Sequence, residues 1–473
     1  MHKIIQKQYK FLIVAIAMLL FSAEICFAAF TIDDERKLGK EFFDKLNQNN
    51  FLLKDRQLNE YITQVGSLVL AQSKKAPFDY TFSVVDSSAI NAFATPGGYI
   101  YLHKGLISAV DNEAELAGVI AHELAHANAR HIARIIEKST KLNMAALAAM
   151  IAGAFLGGGG EASAAIAAFS LAGAGALTLK YQREHEEEAD RLGITYLFNA
   201  GYDPSAMVSF LRLIKKHEFL SKSIPSYMRT HPGTDERIFY LESLILTQYT
   251  LPGKKNIVGN LKRIQALLPM DIAELKTRQS QLTASLIKEP DNVDLFYALA
   301  MTEDKLGQTT SALAHLQKAL ALAPLDKDIL KTLGLIYLKT GDAGQAETFL
   351  QKAISFDADD DELKLALGKT YFSLGNYRDA LHNYLAVKNT PAEDIDINYY
   401  IATAYGKLNN LGESHYHFGL YFKKEAKTQS ALFHFKEALN YFPQSSPQAD
   451  TINNEIKALA KNPPGESSSK PKN

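Results

Sequence analysis

The sequence has little of what marks several specialised protein classes. Cysteine occurs once among 473 residues, so a fold that depends on disulfide bonds is excluded. The formal net charge is -1 and the basic residues are matched by acidic ones, so a nucleic-acid-binding surface is not indicated. What the chain does have is 47% hydrophobic and 22% charged residues, the composition of a globular protein. Its length predicts two or three domains.

The N-terminal apolar run is too short to span a bilayer. Three lysines precede the run from Phe11 to Phe21, and small residues follow around Ala28. This order predicts a secretory signal peptide, residues 1–28, that is cleaved after Ala28. One alternative is an uncleaved anchor, which needs about 20 apolar residues. Another is a lipoprotein attached at Cys26, although Glu24 stands where a small residue is favoured. Cleavage would leave a mature chain without cysteine, which an oxidising compartment permits.

Residues 30–249 combine helical periodicity with one hairpin pattern. We expect a strand from Phe82 to Ala94 to pair with a second strand from Tyr99 to Leu102. The Pro-Gly-Gly sequence at residues 96–98 supplies the turn between them. Helices are predicted on both sides of this hairpin.

The second half of the chain repeats itself every 34 residues. Small residues recur in phase at Ala312, Ala346 and Ala380 and at Gly307, Gly341 and Gly375. This spacing resembles the tetratricopeptide repeat, a helix pair in which small residues let the two helices approach. After three clear units, the helix predicted around Ser414 to Phe422 is displaced by half a period and would close one repeat and open the next. We predict repeats over residues 290–460, a linker or degenerate repeat over 251–289 and a disordered tail over 461–473.

A five-residue pattern, His-Glu-Leu-Ala-His, begins at His122 and ends at His126. Positions four apart share a face of a helix, so both imidazoles can reach one metal ion, and Glu123 lies beside them. Zinc suits such a set, because a bound water becomes acidic enough for Glu123 to take its proton and pass it to the leaving amine. The alternative is an accidental match on an ordinary helix with two exposed histidines. The apolar surroundings oppose that alternative, since burying a histidine pair without a metal is costly.

A second pattern lies on a helix predicted from about Arg183 to Phe198. Glu186 and Asp190 share a face of it, so Glu186 can supply a third ligand and Asp190 can accept a hydrogen bond from a ligand histidine or from the intermediate. The alternative is a solvated acidic helix face, because other carboxylates compete at Glu184, Glu187 and Glu188. Two further histidines near the site, His131 and His185, are interpreted as surface or capping residues rather than ligands.

At these residues the chain resembles the M48 family of zinc metallopeptidases, whose pattern is His-Glu-x-x-His followed on a later helix by Glu-x-x-x-Asp. The resemblance implies one zinc ion per chain, held by His122, His126 and Glu186, with catalytic roles for Glu123 and Asp190. It implies an α+β, mostly helical, zincin-type metallopeptidase domain with a small β-hairpin or sheet over residues 29–250, followed by an all-α tetratricopeptide-repeat solenoid.

A more specific resemblance is to the periplasmic members of this family that enhance β-barrel assembly. It rests on Thr230-His231-Pro232 with Arg237 five residues after the proline. It implies that His231 can approach the zinc, occupy the open position and hold the enzyme inactive, so His231 is a candidate regulatory switch; a plain loop histidine is the alternative. The sequence Asn91, Ala92, Phe93 and Ala94 resembles the family's edge strand, which aligns an extended substrate beside the metal.

Residues 141–180, between the two motifs, are mostly alanine, glycine and larger apolar residues. A phosphate-binding loop is excluded, because no Gly-Lys-Ser or Gly-Lys-Thr follows the glycines at 157–160. Two short membrane spans are one alternative, but the first arm is too short. We favour a hairpin of packed or membrane-touching helices near the active site, and hence peripheral membrane contact.

These features together predict a zinc endopeptidase in the periplasm of a Gram-negative-type bacterium. As the resemblance implies, its substrates would be misfolded or misassembled outer-membrane proteins, and its repeats would bind the outer-membrane protein assembly machinery. The alternative is a chaperone or adaptor that acts mainly through the repeats. Another zinc hydrolase, such as an amidase, is disfavoured because the hairpin suits extended peptide.

Overall fold

The computed structural model describes residues 30–73, 77–137, 151–152, 183–221, 224–259, 261–387 and 397–461. The chain forms two compact units, Met1–Pro269 and Met270–Asn473. Within the described residues, no helix is both long and apolar enough to cross a membrane. The predicted signal peptide, nearly all of the alanine- and glycine-rich segment 141–180 and the tail after Lys461 lie outside the described residues.

The first unit opens with two helices that begin at side-chain caps. Helix α1 spans Ile32–Gln48, and Thr31 caps it in a reciprocal arrangement with Asp34. Helix α2 spans Arg56–Leu70, and the Asp55 side chain accepts from the backbone N–H of Leu58. Each helix buries one apolar face, so both pack against the interior of the unit.

Three strands follow in the described chain: β1 at Thr81–Val85, β2 at Ala92–Thr95 and β3 at Tyr99–His103. Their order is β1-β3-β2, with β1 parallel and β2 antiparallel to β3. The hairpin of β2 and β3 turns through two glycines in the left-handed region, at φ 85° and φ 90°.

The prediction of one continuous strand from Phe82 to Ala94 is wrong. The strand ends at Val85 and a new one begins at Ala92. Between them the backbone N–H of Ser87 bonds to the Val85 carbonyl at 2.9 Å, and the Ser87 hydroxyl accepts from the N–H of Ala89 at 3.3 Å. These local bonds replace the sheet ladder, and the chain crosses to the other side of β3.

The remaining described helices of the first unit lie after the sheet. They are α3 at Lys104–Ala109, α4 at Glu113–Asn128, α5 at His131–Glu137, α6 at Arg183–Asn199, α7 at Ser205–Ser221, α8 at Ser226–Thr230, α9 at Thr234–Gln248 and α10 at Leu261–Leu267. Every residue of α4 from Glu113 to Ala127 is buried, and α4 packs against α2, α6, α7 and β2. A helix that is buried on all sides forms the centre of its unit.

The buried carboxylate of Glu113 fastens the first turn of α4 to the rest of the unit. It accepts hydrogen bonds from the hydroxyls of Tyr61 and Tyr202 at 2.9 Å and 2.7 Å. It also accepts from three consecutive backbone N–H groups at residues 257–259, at 2.6–2.8 Å. Burial alone would raise the pKa of Glu113, but these hydrogen bonds outweigh burial and lower it.

The second unit is helical throughout its described residues. Its helices are α11 at Ile272–Lys288, α12 at Val293–Lys305, α13 at Thr309–Leu322, α14 at Lys327–Thr340, α15 at Ala343–Ile354, α16 at Asp361–Ser373, α17 at Tyr377–Val387, α18 at Ile397–Lys407, α19 at Leu411–Lys424, α20 at Thr428–Leu439 and α21 at Pro447–Lys461. Each packs mainly on its neighbours in sequence, and α19 packs on both α18 and α20. This is the quasi-linear organisation of a repeat solenoid.

The 34-residue period appears directly in the packing of the repeats. A Cβ atom on Gly334 would lie 2.5 Å from the Leu350 side chain, and one on Gly368 would lie 2.5 Å from the Tyr384 ring, so a larger residue at either position would displace its neighbour. The side-chain amides of Gln317 and Gln351 donate to the hydroxyls of Tyr337 and Tyr371, at 3.4 Å and 3.0 Å. The predicted fold class, a mostly helical α+β unit followed by an all-α repeat unit, is confirmed.

Candidate metal centre

Helices α4 and α6 and the residue after α8 bring four side chains together. Nitrogen or oxygen atoms of His122, His126, Glu186 and His231 all lie within 4.8 Å of one another, and all four side chains are buried. We call these four residues the ligand cluster. Nε2 of His122 is 3.0 Å from Nε2 of His126, and each of these atoms is 3.4 Å from a carboxylate oxygen of Glu186. The three predicted ligands therefore converge on one point.

A glycine permits this approach of the two helices. Gly193, two turns after Glu186 on α6, lies directly over the backbone of α4. A Cβ atom at this position would be 3.2 Å from both N and Cα of His122. These neighbours are backbone atoms in the middle of a buried helix, so they cannot move without moving the histidine.

Asp190 contacts the ligand cluster from behind. Its Oδ1 lies 2.8 Å from Nδ1 of His122, so the carboxylate accepts from the ring nitrogen that faces away from the cluster. Burial by itself would raise the pKa of Asp190, but the charges of Arg237 and His122 outweigh burial and hold that pKa below its ordinary value. Asp190 is therefore a stable negative charge behind His122.

Arg237 joins the two acidic residues of α6. Its Nε and Nη2 donate to the two oxygens of Asp190 at 2.7 Å and 2.8 Å, and its Nη1 lies 2.7 Å from Oε2 of Glu186. Burial would raise the pKa of Glu186, yet His231 and Arg237 lower it well below its ordinary value. The sequence marks Arg237 only by its spacing from Pro232, and its contact with both carboxylates follows from the packing of α9 on α6.

Glu123 lies beside the cluster, fully buried. Within the described residues neither of its carboxylate oxygens has a hydrogen-bond partner. Burial raises its pKa, against the opposing charges of His231 and His122. A buried carboxylate whose proton affinity is raised in this way is suited to act as a general base.

His231, the first residue after α8, occupies the remaining corner of the cluster. Its Nδ1 is 3.2 Å from Oε1 of Glu186 and 3.4 Å from Nε2 of His122, and its Nε2 is 3.5 Å from Oε1 of Glu123. The ring stacks on Tyr227 with centroids 4.3 Å apart. The structure thus places this predicted residue in the site, while its role as a switch stays a prediction.

His131 and His185 lie outside the ligand cluster, as expected, but the interpretation of them as surface residues is wrong. Both are buried, and their rings stack with centroids 4.4 Å apart. Nδ1 of His131 is 2.7 Å from Nδ1 of His126, and Nε2 of His131 is 3.1 Å from Oε2 of Glu188. Burial lowers the pKa of His131 to about 4. Sequence periodicity could not place His131, because the chain leaves α4 through Arg130 at φ 55° before α5 begins.

The predicted edge strand lies at the margin of the sheet. Ala92, Phe93 and Ala94 belong to β2, which pairs with β3 alone among the described strands, and Asn91 precedes it. All four residues are buried. The N–H of Tyr227 bonds to the Ile90 carbonyl at 3.1 Å, so the start of α8 is attached just before this strand. Substrate alignment by β2 stays a prediction.

The donor set fits a transition metal. Three imidazoles and a carboxylate are the ligands that zinc takes in proteins, and here they converge in a buried site. The Glu123 carboxylate, without a hydrogen-bond partner in the described chain, adds negative charge beside them. Arg237 offsets part of the negative charge of Glu186 and Glu123, and the rest is costly to bury without a further positive charge, so the residues present fit a bound cation.

Comparison with known proteins agrees with this geometry. Residues 53–245 match peptidase family M48, and residues 305–364 match the tetratricopeptide repeat. The chain therefore contains an M48 metallopeptidase domain followed by tetratricopeptide repeats.

Curated relatives match over the metallopeptidase region, among them the following three. The chain is 39% identical over 211 residues to the putative beta-barrel assembly-enhancing protease of Vibrio cholerae, covering 44% of this chain and 43% of that protein. It is 30% identical over 209 residues to the beta-barrel assembly-enhancing protease of Escherichia coli K12, covering 44% and 43%. It is 29% identical over 182 residues to mitochondrial metalloendopeptidase OMA1 of Schizosaccharomyces pombe, covering 38% and 51%. The chain spans less than half the length of the two bacterial relatives.

Proposed function

We propose that this protein is a zinc-dependent endopeptidase of the bacterial cell envelope. The observation that carries the proposal is the buried convergence of His122, His126 and Glu186 with Glu123 beside them. The M48 domain supports the reaction class, and the names of the relatives support a role in the assembly of outer-membrane β-barrel proteins.

His122, His126 and Glu186 would hold the zinc ion. When bound, zinc would polarise the carbonyl of the scissile peptide and lower the pKa of a coordinated water. Glu123 is placed to accept the proton of the attacking water and to donate it to the amine nitrogen as the C–N bond breaks. Asp190 orients His122 through Nδ1, and Arg237 keeps both Asp190 and Glu186 ionised.

His231 would hold the enzyme in a resting state. Its ring lies within 3.5 Å of His122, Glu186 and Glu123, at the corner that a reacting water would need. Stacking on Tyr227 and the N–H bond from His231 to the Tyr227 carbonyl at 2.8 Å hold it there. Activation would require residues 226–231 to withdraw from the site.

Other parts of the chain support proposals for the compartment, the membrane contact and the partners of the enzyme. The predicted signal peptide supports export to the periplasm, and residues 141–180 support contact with a membrane surface. Repeats of this kind bind proteins, so we infer that the second unit recruits the enzyme to unfolded envelope proteins or to the outer-membrane assembly machinery.

The test is substitution of Glu123 in a chain in which the His231 side chain no longer occupies the site. In a His231→Ala background, Glu123→Gln should retain one zinc ion per chain and lose cleavage of an unfolded outer-membrane protein. The matched control is Glu187→Gln, an exposed residue of α6 that pairs with Arg191 and should cleave normally. If the zinc-loaded Glu123→Gln chain cleaves at the rate of its parent, the mechanism is refuted.

A chaperone or adaptor function remains the second candidate, and the repeat unit favours it. Complementation of a deletion strain with Glu123→Gln separates the two. Full rescue of outer-membrane assembly indicates an adaptor, whereas no rescue indicates a protease.

A further inference from the structure

We propose that His131 and Glu188 form a hydrogen-bonded relay that fixes the orientation and the proton of the ligand His126. Both are positioning residues, since they act through His126. The inference rests on the proposed zinc site and adds two residues that the metallopeptidase motifs do not specify.

The two ligand histidines need the same support and obtain it differently. His122 points Nε2 into the ligand cluster and Nδ1 at Asp190, 2.8 Å away. His126 also points Nε2 into the cluster, but its Nδ1 meets Nδ1 of His131 at 2.7 Å. A metal-bound histidine normally donates its second N–H to a carboxylate or carbonyl. Here the imidazole of His131 lies between His126 and the carboxylate of Glu188.

The positions of the protons follow from the contacts. A ligand nitrogen must offer its lone pair, so Nε2 of His126 carries no proton and Nδ1 carries one. That N–H must be donated to Nδ1 of His131, because two N–H groups cannot face each other at 2.7 Å. His131 then carries its own proton on Nε2, which donates to Oε2 of Glu188 at 3.1 Å. The relay allows one arrangement of protons and ends on a negative charge.

Each member of the relay is itself held in place. The His131 ring is fully buried and stacks on His185. Oε2 of Glu188 also accepts from Nη1 of Arg134, 3.2 Å away, one turn after His131 on α5. Packing alone requires no polar atom at a buried position, so the polar contacts at both ring nitrogens of His131 indicate a role beyond packing.

The pair Glu187 and Glu188 provides a matched test on the protein with its full chain. Glu188→Ala removes the end of the relay, and Glu188→Gln keeps an acceptor without the charge. Glu187→Ala removes a neighbouring carboxylate on α6 that accepts from Arg191 instead. His131→Phe removes the acceptor of His126. Zinc affinity is measured by competition with a chelator, and the visible spectrum of the cobalt-substituted protein reports the ligand geometry.

We expect zinc to bind about 10- to 100-fold more weakly to His131→Phe. The loss of zinc affinity should be smaller for Glu188→Ala and smaller again for Glu188→Gln. Glu187→Ala should bind zinc as tightly as wild type. The cobalt spectrum should shift for Glu188→Ala and be unchanged for Glu187→Ala. A purely structural role for Glu188 would move neither the metal affinity nor the spectrum, because its side chain is 43% exposed.

The outcomes separate this inference from the proposed function. If the wild-type chain binds one zinc ion and its His231→Ala variant cleaves, but both Glu188 variants match wild type in affinity and cobalt spectrum, the relay is overturned and the proposed function stands. If the wild-type chain binds no zinc, both are overturned. If His131→Phe does not fold, the Glu188 variants decide the result, since their exposed side chain can be replaced without opening the core.

Discussion

At the scale of single residues, one guanidinium organises the acidic side of the site. Arg237 bonds to both oxygens of Asp190 and contacts Glu186, and all three side chains are buried. Glu186 and Asp190 would repel each other across the shared face of α6 without this charge. The geometry of the third ligand is therefore set by a residue from α9, remote in sequence from both motifs.

His231 gives the sharpest prediction at this scale. His231→Ala should raise the rate of cleavage of an unfolded outer-membrane protein, because it vacates the corner within 3.5 Å of Glu123. Activity is measured as product formed per zinc-loaded chain, with His217→Ala on α7 as the control that should behave as wild type. A His231→Ala chain with full zinc and unchanged cleavage would contradict the resting-state assignment.

Residues on one helix were predictable, and residues joined by tertiary packing were not. Helical periodicity alone placed His122 with His126, and Glu186 with Asp190, because spacings of four residues fix a face. The approach of the two helices at Gly193, and the place of His131 beyond the left-handed turn at Arg130, depend on contacts that no local pattern contains. The metal-binding and catalytic roles of these residues stay predictions.

At the scale of elements, the spacing of α4 and α6 controls the site. Gly193→Ala should weaken zinc binding, because the new Cβ would lie 3.2 Å from backbone atoms of His122 and must push the helices apart. The measurement is zinc affinity together with circular dichroism, which should show an intact helical fold. Gly118→Ala is the control: its Cβ would meet the flexible Met207 side chain at 3.1 Å, which can turn aside. Equal zinc affinities for the two variants would argue against this role of the spacing.

The fastening of α4 by Glu113 predicts how stability depends on pH. The folded pKa of Glu113 lies below its ordinary value of 4.5, so the carboxylate contributes stability above that pH and loses it as the pH falls through the folded pKa. Glu113→Gln should lower the melting temperature at pH 7, since one amide N–H would face backbone donors, and should flatten the loss of stability below about pH 5. Glu60→Gln, on the exposed face of α2, is the control. Parallel pH profiles for wild type and Glu113→Gln would contradict the prediction.

Elements with a strong period were also easier to predict than those without one. The repeat helices follow a 34-residue period that is visible in alanine and glycine alone. The strand from Phe82 to Ala94 was predicted too long, because apolar residues on both sides of the Ser87 turn share strand preferences and only the hydrogen bonds show the break.

At the scale of the whole molecule, the chain has two units, and we expect the first to bind the metal and the second to recruit partner proteins. A chain that ends at Pro269 should bind zinc with the affinity of the full protein, because every member of the ligand cluster lies in the first unit. The same chain should fail to co-purify with outer-membrane assembly proteins if the repeats recruit them. Zinc titration and affinity capture check the two parts. If the shortened chain still captures outer-membrane assembly proteins, the recruiting surface lies on the first unit.

The buried site has a consequence for where and how the protein matures. Among the described buried side chains of the site, Glu123, Glu186 and Asp190 share one guanidinium, that of Arg237. With all three carboxylates ionised and the histidines neutral, their formal charge is two negative. A divalent cation cancels that charge without protonating any ligand, and binding of such a cation is thermodynamically linked to folding. We therefore expect the metal supply in the compartment where the chain folds to set how much of it reaches a stable native state, before any question of catalysis arises.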